Sequence, residues 1–264
     1  MTDWVFYVTA ACAGAIMGSF LNVVIHRGPV LWKLVDGEAR GNLVAPGSYC
    51  PQCRESIRAA HLIPLLSFIM LRGKCAACSG RIAIRYPLVE LAGAICALIA
   101  LAIFGGTIAA SFAFAFFLFL IALGVIDFET GYLPDALTLP LLLLGVIASA
   151  VSVFNVSLFE SVLGALIGYS AFRLVDFIFL RIRGVEGLGQ GDAKLLAAIG
   201  AWLGWTALPP VVFLAAIVAL IGVAISAAGG EKIARDTPVP FGPTLAAAGA
   251  LAMIAHGLAL PYFA

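Results

Sequence analysis

Long apolar runs and one polar stretch alternate along the chain, and that pattern predicts most of the architecture. Residues 27–85 are polar and irregular, whereas residues 86–264 are apolar segments joined by short links. About 20 apolar residues are needed to cross the hydrocarbon core as a helix. On that rule the sequence predicts spans near 4–25, 86–104, 108–126, 136–154, 158–180, 193–207, 210–228 and 242–260. The sixth is the weakest, because Pro209 and Pro210 cut it short and mark a tight turn or a half-spanning helix. The run HLIPLLSFIML at 61–71 is too short to cross and is expected to lie at the interface or pack on the bundle. The chain therefore reads as an all-α polytopic membrane protein of about eight transmembrane helices. Three parts are expected: a first helix at 1–26, a loop domain at 27–85 and a seven-helix domain at 86–264.

Composition agrees with this solvent. Hydrophobic residues make up 63% of the chain and charged residues 11%, against about 25% charged in an ordinary soluble domain. The N-terminal stretch MTDWVFYVTAACAGAIMGSFLNVVIHR carries an acid, Asp3, and no Lys or Arg before its apolar run. It reads as a first span that stays in place rather than a cleaved signal. The net charge of +1 says little, but its distribution sets the topology. Nine Lys or Arg fall in the 27–85 loop, which the positive-inside rule assigns to the cytoplasm. Counting spans onward puts the links at 127–135, 181–192 and 229–241 on the same side, and two of them hold Arg181, Arg183, Lys232 and Arg235. The opposite links near 105–107 and 155–157 hold no Lys or Arg. A lipid bilayer is the expected surrounding; no nucleic-acid partner is expected, and the oligomeric state is open.

The polar loop holds two CxxC knuckles, Cys50-Pro51-Gln52-Cys53 and Cys75-Ala76-Ala77-Cys78, 21 residues apart. Four thiolates can hold one tetrahedral zinc, although this separation sits just outside the usual spacing. A cytoplasmic location argues against structural disulfides. A redox CxxC is the rival reading; Gly73 and Gly80, flanking the second knuckle, favour the metal. Four cysteines leave no open position, so the role expected of a metal here is structural. Cys12 and Cys96 lie within spans and read as small core residues.

The acids are few after residue 86, and two stand out. Asp127 ends the third span in GVIDFETGYLPD, and Asp192 begins the sixth in GLGQGDAKL, both on the cytoplasmic edge. Two close carboxyls cannot easily both ionise, so one keeps a proton near neutral pH. Such a pair can hydrolyse an amide by acid–base chemistry without a covalent intermediate. Gly187, Gly189 and Gly191 beside it allow unusual backbone conformations and the close approach of an extended peptide. The competing reading is that an Asp at a helix start is a cap, a role that Asp135 after Pro134 would suit. Spacing alone leaves both readings open.

These residues also carry a resemblance. GSFLNVVIHR at 18–27, CPQC, IPLLSFIMLRGKCAAC, RIAIRYPLVE at 81–90, IDFETGYLPD at 126–135 and GLGQGDAKL at 187–195 resemble the motifs of the type IV prepilin peptidases, GxGD-type membrane aspartic peptidases. The chain departs from them after PLVE, where a leucine-rich continuation is missing, and at 28–47. The resemblance implies that Asp127 and Asp192 are catalytic, with Asp135, Gly189, Gly191 and Lys194 supporting. It also implies that the four cysteines bind zinc and that the protein sits in the bacterial cytoplasmic (inner) membrane. The implied activity is removal of a short leader from type IV prepilins or type II secretion pseudopilins, after a glycine and before a hydrophobic helix. Methylation of the new N-terminus with S-adenosylmethionine is implied as a second step. No methyltransferase fingerprint is visible in the sequence, and GLGQG follows no strand, so it is not a cofactor loop. Within the zinc loop, Gly73, Lys74 and Glu90 are the candidates for that step.

Other polar residues have plainer expected roles. His26 and Arg27 would anchor the first span at the headgroups, and His256 would be a packed, hydrogen-bonded residue. Ser19 and Asn22 could bind substrate or join helices. Lys194 could lower the pKa of Asp192, contact a substrate carboxylate or reach for the interface, and Arg173, Asp176 and Arg181 could form a salt link. Two other functions compete: a transporter with an acidic ion path, and a scaffold whose zinc loop binds a partner. The acids gather at one edge rather than the midplane, which argues against transport.

Overall fold

The structure, a computed structural model, describes residues 3–37, 41–184, 189–229 and 240–259, without the side chains of Asp3 and Arg183. Arg40, Glu186, Gly187, Glu231, Lys232, Arg235 and Asp236 lie outside these residues. The described chain is helical: α1 (Asp3–Leu31), α2 (Leu66–Met70), α3 (Arg85–Phe104), α4 (Ile108–Thr130), α5 (Asp135–Ala150), α6 (Leu158–Arg183), α7 (Gln190–Leu203), α8 (Leu208–Ala228) and α9 (Gly242–Ala259). Six of these are long and apolar enough to cross a membrane, namely α1, α3, α4, α6, α8 and α9. The other two expected spans are the shorter helices α5, of 16 residues, and α7, of 14. Pro209 and Pro210 lie in the first turn of α8, where their missing N–H groups leave no bond unmade.

The chain divides into two compact units, Met1–Ala122 and Leu123–Ala264. In the first, α1 packs on α3 through glycines. A Cβ on Gly14 would overlap the carbonyl of Gly93, and one on Gly18 would lie 2.7 Å from the carbonyl oxygen of Val89. Asn22 on α1 donates from Nδ2 to the carbonyl of Tyr86 on α3 at 3.0 Å. Helix α1 runs six residues past the expected span, to Leu31. Arg27 is not left to the headgroups: its guanidinium donates to the carbonyls of Asn42, Pro46 and Gly47 at 2.9, 2.9 and 3.0 Å, pinning the polar loop to the helix.

In the second unit α7 is the centre. Ten of its residues are buried, from Ala193 to Leu203 with Lys194 the exception. A short helix that is apolar on every side belongs inside protein rather than against lipid. Its neighbours come close because glycines let them: a Cβ on Gly200 would overlap the Gly164 carbonyl of α6, and one on Gly145 of α5 would stand 2.5 Å from Trp202. The buried Trp202 spends its indole N–H on the carbonyl of Leu141 at 2.8 Å, and Ser161 donates to the carbonyl of Ala201 at 2.7 Å. Each such bond contributes about 1 kcal/mol, and leaving the donor unpaired would cost about 1–3 kcal/mol. By contrast α8 is mostly exposed, as expected of a lipid-facing helix. Helix α6 opens on a capping box between Ser157 and Glu160 and closes on left-handed Gly184.

This packing makes a direct prediction. Gly200→Leu must separate α6 from α7 and is expected to abolish recovery of folded protein in detergent or to lower its thermal midpoint sharply. Gly222→Leu meets nothing within 4 Å and should behave as wild type in the same assay.

Candidate active site

Asp127 stands three residues before the end of α4 and is only 6% exposed. Its Oδ2 accepts a hydrogen bond from the backbone N–H of Gly242 at 3.0 Å. Gly242 is the first residue of α9, so the donor is one of the N–H groups that a helix start leaves without an internal partner, at the positive end of the helix dipole. No side chain fits there, because a Cβ on Gly242 would lie 2.5 Å from that same oxygen. Sequence reasoning missed Gly242. Its signal was the Gly-Pro pair at 242–243, since Pro in a first turn marks a helix start with free donors.

Asp192 is the third residue of α7, and Gly189 is the N-cap. Its carboxyl folds back to accept from the Gly189 N–H, and a Cβ on Gly189 would sit 3.2 Å from Oδ2. Gly189 has an ordinary extended backbone, φ −64° and ψ 140°, and Gly191 is not among the residues of positive φ. The unusual conformations expected of these two glycines are therefore absent, and the reason for each is space. At Gly191 a Cβ would press within 2.7 Å of Leu133. Nor does Asp192 cap its helix from the N-cap position; it is the third helical residue, half-buried.

Asp192 lies in the first turn of α7, outside the six spanning helices. Burial pushes its carboxyl up from an ordinary value of 3.8 to about 7, the charge of Asp127 pushes it further in the same direction, and the Gly189 N–H opposes both. The two acids are therefore within electrostatic reach of each other in the second unit. Lys194 does not join them. Its ammonium pairs with Asp135 at 2.5 Å, tying the start of α7 to the start of α5. Asp135 is exposed and does not cap α5, whose N-cap is Pro134. Arg173 and Asp176 form the expected salt link at 3.0 Å, while Arg181 lies over the Phe177 ring at 5.3 Å instead. His256 was expected to be hydrogen-bonded, but its Nε2 is buried with no partner among the described residues.

In the first unit the two knuckles share one design. Cys50 N–H donates to the Glu55 carbonyl at 2.9 Å and Cys75 N–H to the Gly80 carbonyl at 2.8 Å. Arg54 and Ser79, each four residues after the first cysteine, both take left-handed φ, 62° and 58°. A single bridge closes each loop, Tyr49 to Ser56 and Lys74 to Arg81. The four sulfurs lie within 4.8 Å of one another, and Cys50 and Cys78 are 4.0 Å apart. Tetrahedral thiolates at about 2.3 Å from a zinc ion stand about 3.8 Å apart, so the cluster suits such a metal. The backbone N–H groups of Cys78 and then Ala77 lower the Cys75 thiol whereas Cys53 beside it is raised, so the case for a metal rests on the geometry of the four sulfurs.

Comparison with known proteins gives a consistent answer. Residues 12–104 match the bacterial peptidase A24 N-terminal domain, and residues 114–224 match the type IV leader peptidase family. The chain is 45% identical over 257 residues to a protein of Burkholderia pseudomallei (strain 1026b) named prepilin leader peptidase/N-methyltransferase, covering 91% of this chain and 82% of that one. Proteins of the same name from Neisseria gonorrhoeae and Pseudomonas aeruginosa are each 41% identical, with 91% and 94% of this chain covered and 87% and 90% of theirs. No solved structure matches the chain significantly.

A raised acid has a stability signature. Folded Asp192 keeps its proton to about pH 7, whereas the unfolded chain releases it near 3.8, so the folded state binds more protons between those limits. Its contribution to stability is fully present below the ordinary value and is lost as pH rises through about 7. Asp192→Asn is therefore expected to raise the thermal midpoint in detergent at about pH 8 and to change it little at about pH 4. An equal shift at both would contradict the half-buried, protonated acid.

Proposed function

Since the chain belongs to the type IV leader peptidase family, we propose that Asp127 and Asp192 are its catalytic pair, cutting short leaders from prepilins or pseudopilins. It is a membrane enzyme of the leader peptidase and N-methyltransferase class. The observation that supports the pair most is the burial of Asp127 with Asp192 inside the reach of its charge. Asp192 holds the proton near neutral pH and donates to the scissile carbonyl oxygen. Asp127, steadied by the Gly242 N–H, takes a proton from the attacking water. The water oxygen bonds to the carbonyl carbon; the carbon–nitrogen bond then breaks as the nitrogen takes the proton held on Asp127, and Asp192 recovers its own from the hydroxyl that becomes the new carbonyl. The products are a carboxyl on the leader and a free amine on the mature chain. Asp135 and Lys194 support this site by holding the first turns of α5 and α7 together.

The protein is multi-pass, with six helices able to cross a bilayer. The positive charge of the 27–85 loop supports placing the knuckles and the aspartates at the cytoplasmic face of the inner membrane. Cys50, Cys53, Cys75 and Cys78 hold zinc in a closed, structural site. The donor for the second step is S-adenosylmethionine, whose sulfonium supplies a methyl group to a neutral amine while the electron pair of the broken carbon–sulfur bond stays on sulfur. The protein's own share of that step is to bind the donor and to receive the proton that the methylated amine sheds. The first-helix, loop and seven-helix division at 26 and 85 suits this assignment of roles.

Three outcomes test the proposal. Purified protein in detergent should cleave a prepilin at its leader, and Asp127→Asn and Asp192→Asn should each cost about 10²–10⁴-fold or more in rate. Asp135→Asn loses a largely exposed ion pair worth about 1 kcal/mol at most, so its loss should stay within about tenfold. Nearly silent Asp127→Asn and Asp192→Asn would remove both acids from catalysis and favour the scaffold reading. Elemental analysis should find one zinc per chain and much less in Cys75→Ser; full retention would contradict the closed thiolate site.

A further inference from the structure

Two aromatic rings meet beside the acids of the second unit, and the cleavage chemistry above gives them no part. The register of α6 on α7 places the first. A Cβ on Gly164 would overlap the carbonyl of Gly200, and one on Gly168 would lie 2.7 Å from the carbonyl oxygen of Leu196. Four residues forward on α6 thus answer four residues back on α7, and positions four apart share a helix face. One turn further, the same step sets Phe172 opposite Asp192. Glycines let the two helices touch at the first two positions. At the third the chain carries a phenyl ring instead, and that ring is in a residue only 7% exposed.

The second ring belongs to Phe241. Its centroid lies 6.0 Å from that of Phe172, with the planes tilted by 52°, an arrangement aromatic pairs prefer. Phe241 is held at the start of α9: its carbonyl accepts from the N–H of Leu245 at 3.0 Å and from the hydroxyl of Thr244 at 2.8 Å. The next residue is Gly242, whose N–H serves Asp127. The ring pair therefore links the helix face opposite Asp192 to the residue adjoining the donor for Asp127. An apolar wall beside a carboxyl removes water and disfavours its charged form, and burial is the largest influence on Asp192. Among the described residues, few charges surround that acid. Asp127 on α4 acts on it directly, and Glu129 on the same helix is exposed. Asp135 on α5 is exposed and paired with Lys194. On α6, Arg173 and Asp176 pair with each other at 3.0 Å, while Glu160, Arg181 and Arg183 stand at the two ends. Residues 205–228 carry no charge, and α9 has only His256, in its last turn.

We propose that Phe172, with Phe241 packed on it, is a positioning residue for the peptidase: its ring walls Asp192 off from water, so that this acid meets the scissile bond with its proton in place. This rests on the catalytic pair proposed above. Phe172 acts through Asp192 and touches no reacting atom, so its effect is confined to the pH range in which Asp192 titrates.

The test is the pH dependence of leader cleavage by the purified full chain in detergent. In wild type the rate should fall as pH rises through the Asp192 value, about 7. Phe172→Asn puts a polar group in the wall, so the acid gives up its proton earlier. That limb should move down by about one pH unit, which makes cleavage at about pH 8 about tenfold slower than wild type. A role in packing alone would lower the rate by one factor at every pH and leave the limb where it was. Phe172→Leu keeps the wall apolar and should hold the limb in place, whatever its rate. Phe241→Asn, at a half-buried position, should move the limb in the same direction by less, and it decides the matter should Phe172→Asn not fold. For a variant too slow to follow, infrared titration of the protonated Asp192 carboxyl reads the same midpoint without turnover. A wild-type midpoint in the folded Asn variants would overturn the proposal, as would a limb that moves as far in Phe172→Leu as in Phe172→Asn. Undiminished cleavage by Asp192→Asn would instead overturn the catalytic pair itself.

Discussion

Burying Asp127 and half-burying Asp192 within reach of its charge is costly, and the helix starts of the second unit are built to permit it. Each acid loses hydration, and the charge of Asp127 disfavours ionisation of Asp192. The compensation comes from backbone N–H groups at two helix starts, Gly242 for Asp127 and Gly189 for Asp192. Both donors are glycines at positions where a side chain would press on the carboxylate it serves. Helix α7 can present Asp192 because it is short and enclosed by protein, so its first turn needs no exposure to lipid. The glycine contacts along α6 and α7, and the Trp202 bond to α5, hold that turn in place.

The first unit solves a different problem. Its polar loop has almost no secondary structure and a modest apolar core, so it depends on cross-links. Arg27 ties it to α1 through three carbonyls, and paired knuckles bring four thiols together. A metal at those thiols would close the loop.

Much of this was legible in the sequence, for identifiable reasons. Asp127 follows an unbroken apolar run and Asp192 follows alternating glycines, so each acid is conspicuous against its surroundings. The cysteine spacing and the clustering of Lys and Arg are likewise local signals. What stayed hidden depends on partners far apart in the chain. Gly242 serves Asp127 across 115 residues and does so with its backbone, which leaves no side-chain trace. Lys194 finds Asp135 across 59 residues rather than the nearby Asp192. Hydropathy registers that α7 is apolar but not that protein surrounds it. The pinning of Arg27 by loop carbonyls looks, in sequence, like an ordinary interfacial arginine.

The account stands on the electrostatic coupling of Asp127 to Asp192. The most direct measurement is an infrared titration of the protonated carboxyl band in detergent, comparing the wild type with Asp127→Asn and using Asp192→Asn to assign the band. In the wild type the Asp192 band should disappear near pH 7. In Asp127→Asn it should titrate at a lower pH, still above the ordinary aspartate value because burial remains. An Asp192 band with the same midpoint in both proteins would show that the two acids do not interact, and the catalytic pair would have to be abandoned.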